Sequence, residues 1–249
     1  FWAERSRRVT DMLEPIAAMT TAILATAIAL IDPSINIPLV VLSSIIAFIP
    51  GLSLTLALSE LAARNLISGT ARLMDALMIL FKIYFGGVLG IALGKMMWGE
   101  VAFIQPPSTP NWTSWAAVTT LSISLVILFK CRKKDAPWGI ISGYVAFGAS
   151  IVGAEYLGVA LGAFVGAFAL GIYGSIFSRI MNLPSSIVKL MGLVVLVPGS
   201  KVYIGLSNAV SGQTMLNATD IGSQTFLIFM SLVAGLIFAN VAFPSRKIL

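Results

Sequence analysis

Apolar runs long enough to cross a bilayer follow one another along nearly the whole chain, and they restrict its fold more than any other feature. They lie at about 12–31, 37–58, 72–97, 114–130, 137–155, 157–178, 187–208 and 223–243, separated by short polar or basic links. A helix needs roughly 20 apolar residues to span hydrocarbon, and lipid offers no partner to backbone amides and carbonyls, so such runs specify α-helices. Hydrophobic residues make up 58% of the 249 and charged residues 10%, a balance no soluble domain of this length carries. The expected fold class is all-α, a polytopic membrane protein with about eight transmembrane helices.

The net charge of +6 resembles a nucleic-acid signal until the basic residues are located. They sit in clusters between apolar runs, as membrane topology requires, and no nucleic-acid partner is expected. With the N-terminus inside, the inner segments collect Arg5, Arg7, Arg8, Arg64, Arg72, Lys130, Arg132, Lys133, Lys134, Arg179, Lys189, Arg246 and Lys247. Of the others, Lys82 and Lys201 lie within helices and only Lys95 is near an outer end. Both termini of this segment then face the cytoplasm, in a plasma or inner membrane. There is no histidine, and Cys131 is the single cysteine. The commonest zinc ligand, the usual triad base and any histidine proton relay are missing, so neither an enzyme nor a metal or other cofactor is expected.

Two of the apolar runs are broken in the same way. Ile45 to Ser59 contains Pro50-Gly51, and Leu193 to Asn208 contains Pro198-Gly199 followed at once by Ser200 and Lys201. At the same offset of 148 residues, Leu58 falls on Leu206, Ser59 on Ser207 and Gly87 on Gly235. Proline removes a backbone donor and glycine loosens the chain, so each break frees amides and carbonyls that lipid cannot satisfy. In the eight-span arrangement the first broken helix runs inward and the second outward, which makes the copies inverted. Residues 1–113 then form a first membrane repeat and 114–249 a second. Matching the spans leaves the first repeat two helices short, so the chain reads as the remainder of a ten-span protein. Paired interrupted segments point to the binding site of a secondary transporter.

Ile49 to Thr55 followed by Ser68 to Leu77, and later Pro184 with Leu196 to Tyr203, resemble the two membrane halves of the threonine/serine exporter family, across essentially the whole chain. The resemblance implies export of small hydroxy amino acids linked to the proton motive force, with dicarboxylate export in split two-subunit relatives. The first two spans and the family's soluble N-terminal region are absent from this sequence.

The substrate-binding candidates cluster at the breaks: Pro50, Gly51, Ser53, Thr55 and Ser59 in one copy, and Pro198, Gly199, Ser200, Lys201, Tyr203 and Asn208 in the other. Broken helix ends offer amides to a carboxylate and carbonyls to an ammonium, while the hydroxyls read the rest of the ligand. A serine or threonine that bonds back to its own helix is the competing reading. Lys201, several residues inside an apolar run, needs a partner, a wet cavity or a route to the interface. Asp75 and Lys82 share a helix face with Arg72 and are the proton-coupling candidates, Asp75 as the carboxylate expected within a membrane helix; an interfacial Arg72–Asp75 pair is the alternative. Glycines 158, 162 and 166, and likewise 86, 90 and 94, are spaced for close helix packing. The expected partners are a small-molecule substrate, amino acid or dicarboxylate, and the lipid bilayer, with homo-oligomer formation left open. A proton-coupled antiporter working by alternating access is the leading reading, with a dicarboxylate exporter or a non-transporting structural subunit as alternatives.

Overall fold

The computed structural model describes residues 12–99, 110, 112–197 and 215–244. All regular structure among them is helical: α1 (Leu13–Ala29), α2 (Ile37–Ile45), a 3-10 turn (Ile46–Phe48), α3 (Gly51–Ala62), α4 (Leu66–Trp98), α5 (Trp112–Leu128), α6 (Ala136–Leu157), α7 (Val159–Met181), α8 (Ser186–Leu196) and α9 (Met215–Ala242). Four stretches, Leu66–Trp98, Ala136–Leu157, Val159–Met181 and Ser223–Ala242, are long and apolar enough to cross a membrane. Leu13–Ala29 and Trp112–Leu128 are apolar and only slightly shorter.

The chain divides into two compact units, and two of the five points at which it passes from one to the other fall at the Pro-Gly steps. The first unit takes Phe1–Pro50, Ala71–Ser108 and Gly199–Thr219, and the second Gly51–Thr70, Thr109–Pro198 and Asp220–Leu249. At Ile49, immediately before Pro50, the backbone turns extended with φ −66° and ψ 119°. Val197, immediately before Pro198, has φ −64° and ψ 125°. A residue preceding proline is driven out of the helical region by the proline ring, which is why α2 with its 3-10 turn ends at the first position and α8 at the second. The run expected at 37–58 is accordingly two helices with an extended joint.

In the first unit, α1 and α2 enclose a small-residue core of Ala18, Ala22, Ala25, Val41, Leu42 and Ile45, joined by Ile83 of α4. Asn36 starts α2 by accepting a hydrogen bond from the Leu39 amide through Oδ1 at 3.1 Å. The turn before it is held by Asp32, whose carboxylate accepts from the amide and the hydroxyl of Ser34 at 2.9 and 2.6 Å. Those two bonds favour the ionised carboxylate and hold its pKa below the ordinary aspartate value. The 86/90/94 glycine series does what its spacing implies. A Cβ on Gly86 would stand 2.2 Å from the Pro15 carbonyl oxygen, one on Gly90 2.4 Å from that of Met19, and one on Gly94 2.8 Å from the Thr26 hydroxyl, so α1 lies against bare backbone of α4.

In the second unit, α6 and α7 form the expected tight antiparallel hairpin. Gly158 is its hinge residue rather than a packing residue, because its φ of +85° is a conformation that side chains resist. Gly162 and Gly166 do pack as expected, each with backbone or Cβ atoms of α6 within 3 Å of the position a Cβ would take. Leu170 of α7 and Leu193 of α8 meet Ala146 of α6 in one core, and Ala163 and Ala167 of α7 meet Ile228 and Leu232 of α9 in another. Residues 60–71, expected as a polar link, instead hold a corner. Arg64 adopts a left-handed conformation, Gly69 lies on Leu61, and the Ser68 hydroxyl donates to Glu60 at 2.6 Å, so α4 begins at Leu66.

Candidate functional site

The first Pro-Gly step lies within the described residues; of the second, Pro198, Gly199, Ser200, Lys201, Tyr203 and Asn208 lie outside them. Pro50 and Gly51 are both buried. Beyond them, Thr55 is buried with its hydroxyl donated to the Gly51 carbonyl at 3.1 Å, and Ser59 donates to the Thr55 carbonyl at 2.9 Å. Both hydroxyl protons are thus spent on the helix's own backbone one turn earlier, which leaves the oxygens as acceptors. Ser53 is half-buried.

Ser59 opens onto a cavity of about 360 Å³ in the second unit, walled by α3, α8 and α9. Its apolar lining comes from residues such as Leu56, Leu193 and Leu236; its polar lining is Ser59, Ser185, Ser186, Lys189 and Asn240. All five polar residues sit near one end of the unit, where α3 finishes, α8 starts and α9 finishes. The cavity has about the share of liquid volume of a dozen waters and lies at the small end of ligand pockets, which run from about 300 to 1,000 Å³.

Lys189 was read from the sequence as an inner flanking charge, yet it lines this cavity half-buried. Its stem lies on the bare face of Gly174 in α7, where a Cβ would come within 2.6 Å of the lysine Cγ and 2.7 Å of Cε. Contact along the stem fixes its course. Among the described residues no carboxylate lines the cavity, and the one formal charge they place on its wall is the ammonium. The signal that could have found it is the Ser185-Ser186 pair followed by Lys189, which puts three polar groups in the opening turn of an otherwise apolar helix.

Arg179, at the end of α7, is occupied differently. Its guanidinium carbon sits 3.8 Å from the Phe243 ring centroid and Nη2 donates to the Pro244 carbonyl at 3.1 Å, which ties the ends of α7 and α9 together. On the α5–α6 link, Arg132 Nε donates to Asp135 Oδ2 at 2.9 Å, and Asp135 is 2% exposed. Cys131 lies beside them; partial burial, then the neighbouring Asp135, raises its thiol pKa above the usual value.

The proton-coupling candidates belong to the first unit. Because α4 starts at Leu66, Arg72 and Asp75 stand in its second and third turns; Asp75 is exposed, and Arg72 and Lys82 each have an interaction partner. Asp75 is not alone as a helical carboxylate. Glu14 opens α1 with Oε2 buried and unpartnered among the described residues, and Glu60 lies in α3. No group of three His, Cys, Asp or Glu residues able to hold a metal occurs among the described residues.

Comparison with known proteins gives this geometry a family. A threonine/serine exporter model, ThrE, matches residues 1–94, and a second, described as Threonine/Serine exporter, ThrE, matches residues 113–242. The chain is similar to a threonine/serine exporter of Corynebacterium glutamicum, 24% identical over 202 residues that make up 80% of this chain and 41% of the relative. It is also similar to pheromone-regulated membrane protein 10 of Eremothecium gossypii, 26% identical across 91% of this chain and 32% of the relative. A third relative, uncharacterized protein C7D4.12c of Schizosaccharomyces pombe, is 26% identical across 80% of this chain and 27% of its own length. The chain therefore spans less than half the length of the curated relatives it matches. No solved structure matches. The chain belongs to the threonine/serine exporter family.

Proposed function

We propose that the protein exports small hydroxy amino acids, threonine or serine, from the cytoplasm by alternating access, with the proton motive force as the driving gradient. In this reading eight spans cross a plasma or inner membrane with both ends of the segment inside, and the two membrane repeats are inverted. The observation that carries it is the coincidence of chain break and unit boundary: one unit gives way to the other between Pro50 and Gly51, and again between Pro198 and Gly199, 148 residues on. Interrupted helices in corresponding positions of two repeats are where transporters of this architecture build their substrate site, and the backbone is extended before each proline, at Ile49 and at Val197. The name of the Corynebacterium relative supplies the substrate class.

The dicarboxylate alternative has less support. A ligand with two carboxylates asks for two cations, and the described cavity wall presents one, Lys189. Asp75 and Lys82 are the groups assigned to proton coupling in this reading, and Lys201 remains the candidate cation at the second joint.

The test is efflux from cells preloaded with labelled threonine, serine or succinate, with and without a protonophore, comparing wild type with Lys201→Ala. Threonine and serine efflux that falls with the protonophore and with the substitution is the expected result. Efflux of all three at the level of empty cells, with the protein correctly inserted, refutes the reading.

A further inference from the structure

The cavity at the ends of α3, α8 and α9 has a charge pattern that the broken-helix reading leaves unused. Its five polar groups among the described residues are one ammonium, three serine hydroxyls and one carboxamide, which together carry a single formal positive charge. A lysine near the membrane interface ordinarily snorkels toward the headgroups. Lys189 does not have that freedom over its whole length, because Cγ, Cδ and Cε all lie within 3.1 Å of where a Gly174 Cβ would be. Glycine at position 174 thus provides a channel for the stem. A cation held half out of water with no acidic partner among the described lining residues is an incomplete ion pair, and an anionic ligand completes it.

We propose that this cavity is the cytoplasmic loading site for the amino acid, with Lys189 binding its α-carboxylate. The inference rests on the export reading for its substrate and deepens it. Ser59 matches the other end of a zwitterion: its proton is given to the Thr55 carbonyl at 2.9 Å, so its oxygen accepts from the ammonium, and the Asn240 carboxamide offers a second acceptor. Ser185, which makes no side-chain cap bond at the start of α8, and Ser186 beside it on the cavity wall read a substrate hydroxyl. The location agrees with loading from inside, since Arg179, Lys189 and the Lys130–Lys134 cluster mark the same basic side in the charge count. One cation and no anion among the described lining residues favour a monocarboxylate zwitterion over a dicarboxylate.

The experiment compares wild type, Lys189→Met and Lys189→Arg, with Lys189→Met keeping the length and apolar packing of the stem. Competition against labelled threonine uses threonine itself and threoninol, which lacks the carboxylate. A charge-assisted hydrogen bond lost from a partly buried site predicts a rise in half-saturating threonine of about 10- to 100-fold in Lys189→Met, partial recovery in Lys189→Arg, and loss of the preference for threonine over threoninol. An unchanged half-saturation and an unchanged preference in a folded Lys189→Met protein overturn the proposal while leaving export intact. A second measurement decides it independently of transport: acetylation of Lys189 in the purified protein, read by mass spectrometry. Threonine slows it and threoninol does not if the carboxylate sits on Lys189; equal labelling with either overturns the assignment. Absence of wild-type transport counts against the export reading, and the labelling result still decides the site.

Discussion

Replacing Gly86 by alanine pits two effects of opposite sign against each other. In a helix, Gly→Ala is favourable by up to about 1 kcal/mol because alanine loses less backbone entropy. Against this, the new Cβ would lie 2.2 Å from the Pro15 carbonyl oxygen and 2.8 and 2.9 Å from the Pro15 Cα and carbonyl carbon, all backbone atoms that no rotamer change can move. Ordinary contact begins near 3.5 Å, so α1 and α4 must separate by about 1 Å. Separation also loosens the seams at Gly90 and Gly94, which touch Met19 and Thr26 of the same helix. Overpacking of this kind costs about 1–3 kcal/mol, and a rigid seam puts it at the upper end. The net expectation is a loss of about 2 kcal/mol, or a melting temperature lower by roughly 4–8 °C for a protein of this size. Gly148→Ala is the matched control, since its Cβ would meet only Trp115 at 3.7 Å, an ordinary contact, and so should raise the melting point by a few degrees. Helical circular dichroism on heating in one detergent reads both. If Gly86→Ala melts at or above wild type, the close-packed seam is refuted.

Gly158→Ala places a side chain at φ +85° and should lower stability by about 1–2 kcal/mol although space around it is open, again by thermal melting. Arg132→Ala leaves the Asp135 carboxylate, 3% exposed, without its guanidinium; because Arg132 itself is 66% exposed the loss is discounted to about 1–2 kcal/mol, and Arg132→Ala/Asp135→Asn should recover part of it. Cys131 should be labelled by a membrane-impermeant maleimide only after permeabilisation if the α5–α6 link is cytoplasmic. Its raised thiol pKa means a rate below that of a free thiol at neutral pH, increasing as pH rises through and above the ordinary cysteine value.

How legible each part was depends on how local its cause is. The joint at Pro50-Gly51 was legible because proline acts on the residue just before it, and Ile49 is extended for that reason alone. The 86/90/94 seam was legible too, since spacing four puts the glycines on one helix face. Gly158 carried the same spacing as its neighbours but serves as a turn, a distinction made by its position between two helices and not by the pattern. The start of α4 at Leu66 was hidden by its polar first turns, which are held by tertiary contacts to Leu61 and Glu60 from the preceding helix. Lys189 was missed for a deeper reason. Its partners in the cavity come from three helices far apart in sequence, and its stem is steered by Gly174 on a fourth; a charge count sees only that it flanks an apolar run. For Asp75 the boundary matters, because starting α4 at Leu66 and not at 72 moves it from the first turn to the third.

The most direct measurement is threonine flux in proteoliposomes holding only the purified protein. Labelled threonine trapped inside should exchange for external threonine, and an imposed pH gradient should drive net movement, both slowed by Pro50→Ala together with Pro198→Ala in a protein that still melts cooperatively. Exchange no faster than in protein-free vesicles, or exchange untouched by loss of both prolines, contradicts a transporter that works about those two joints.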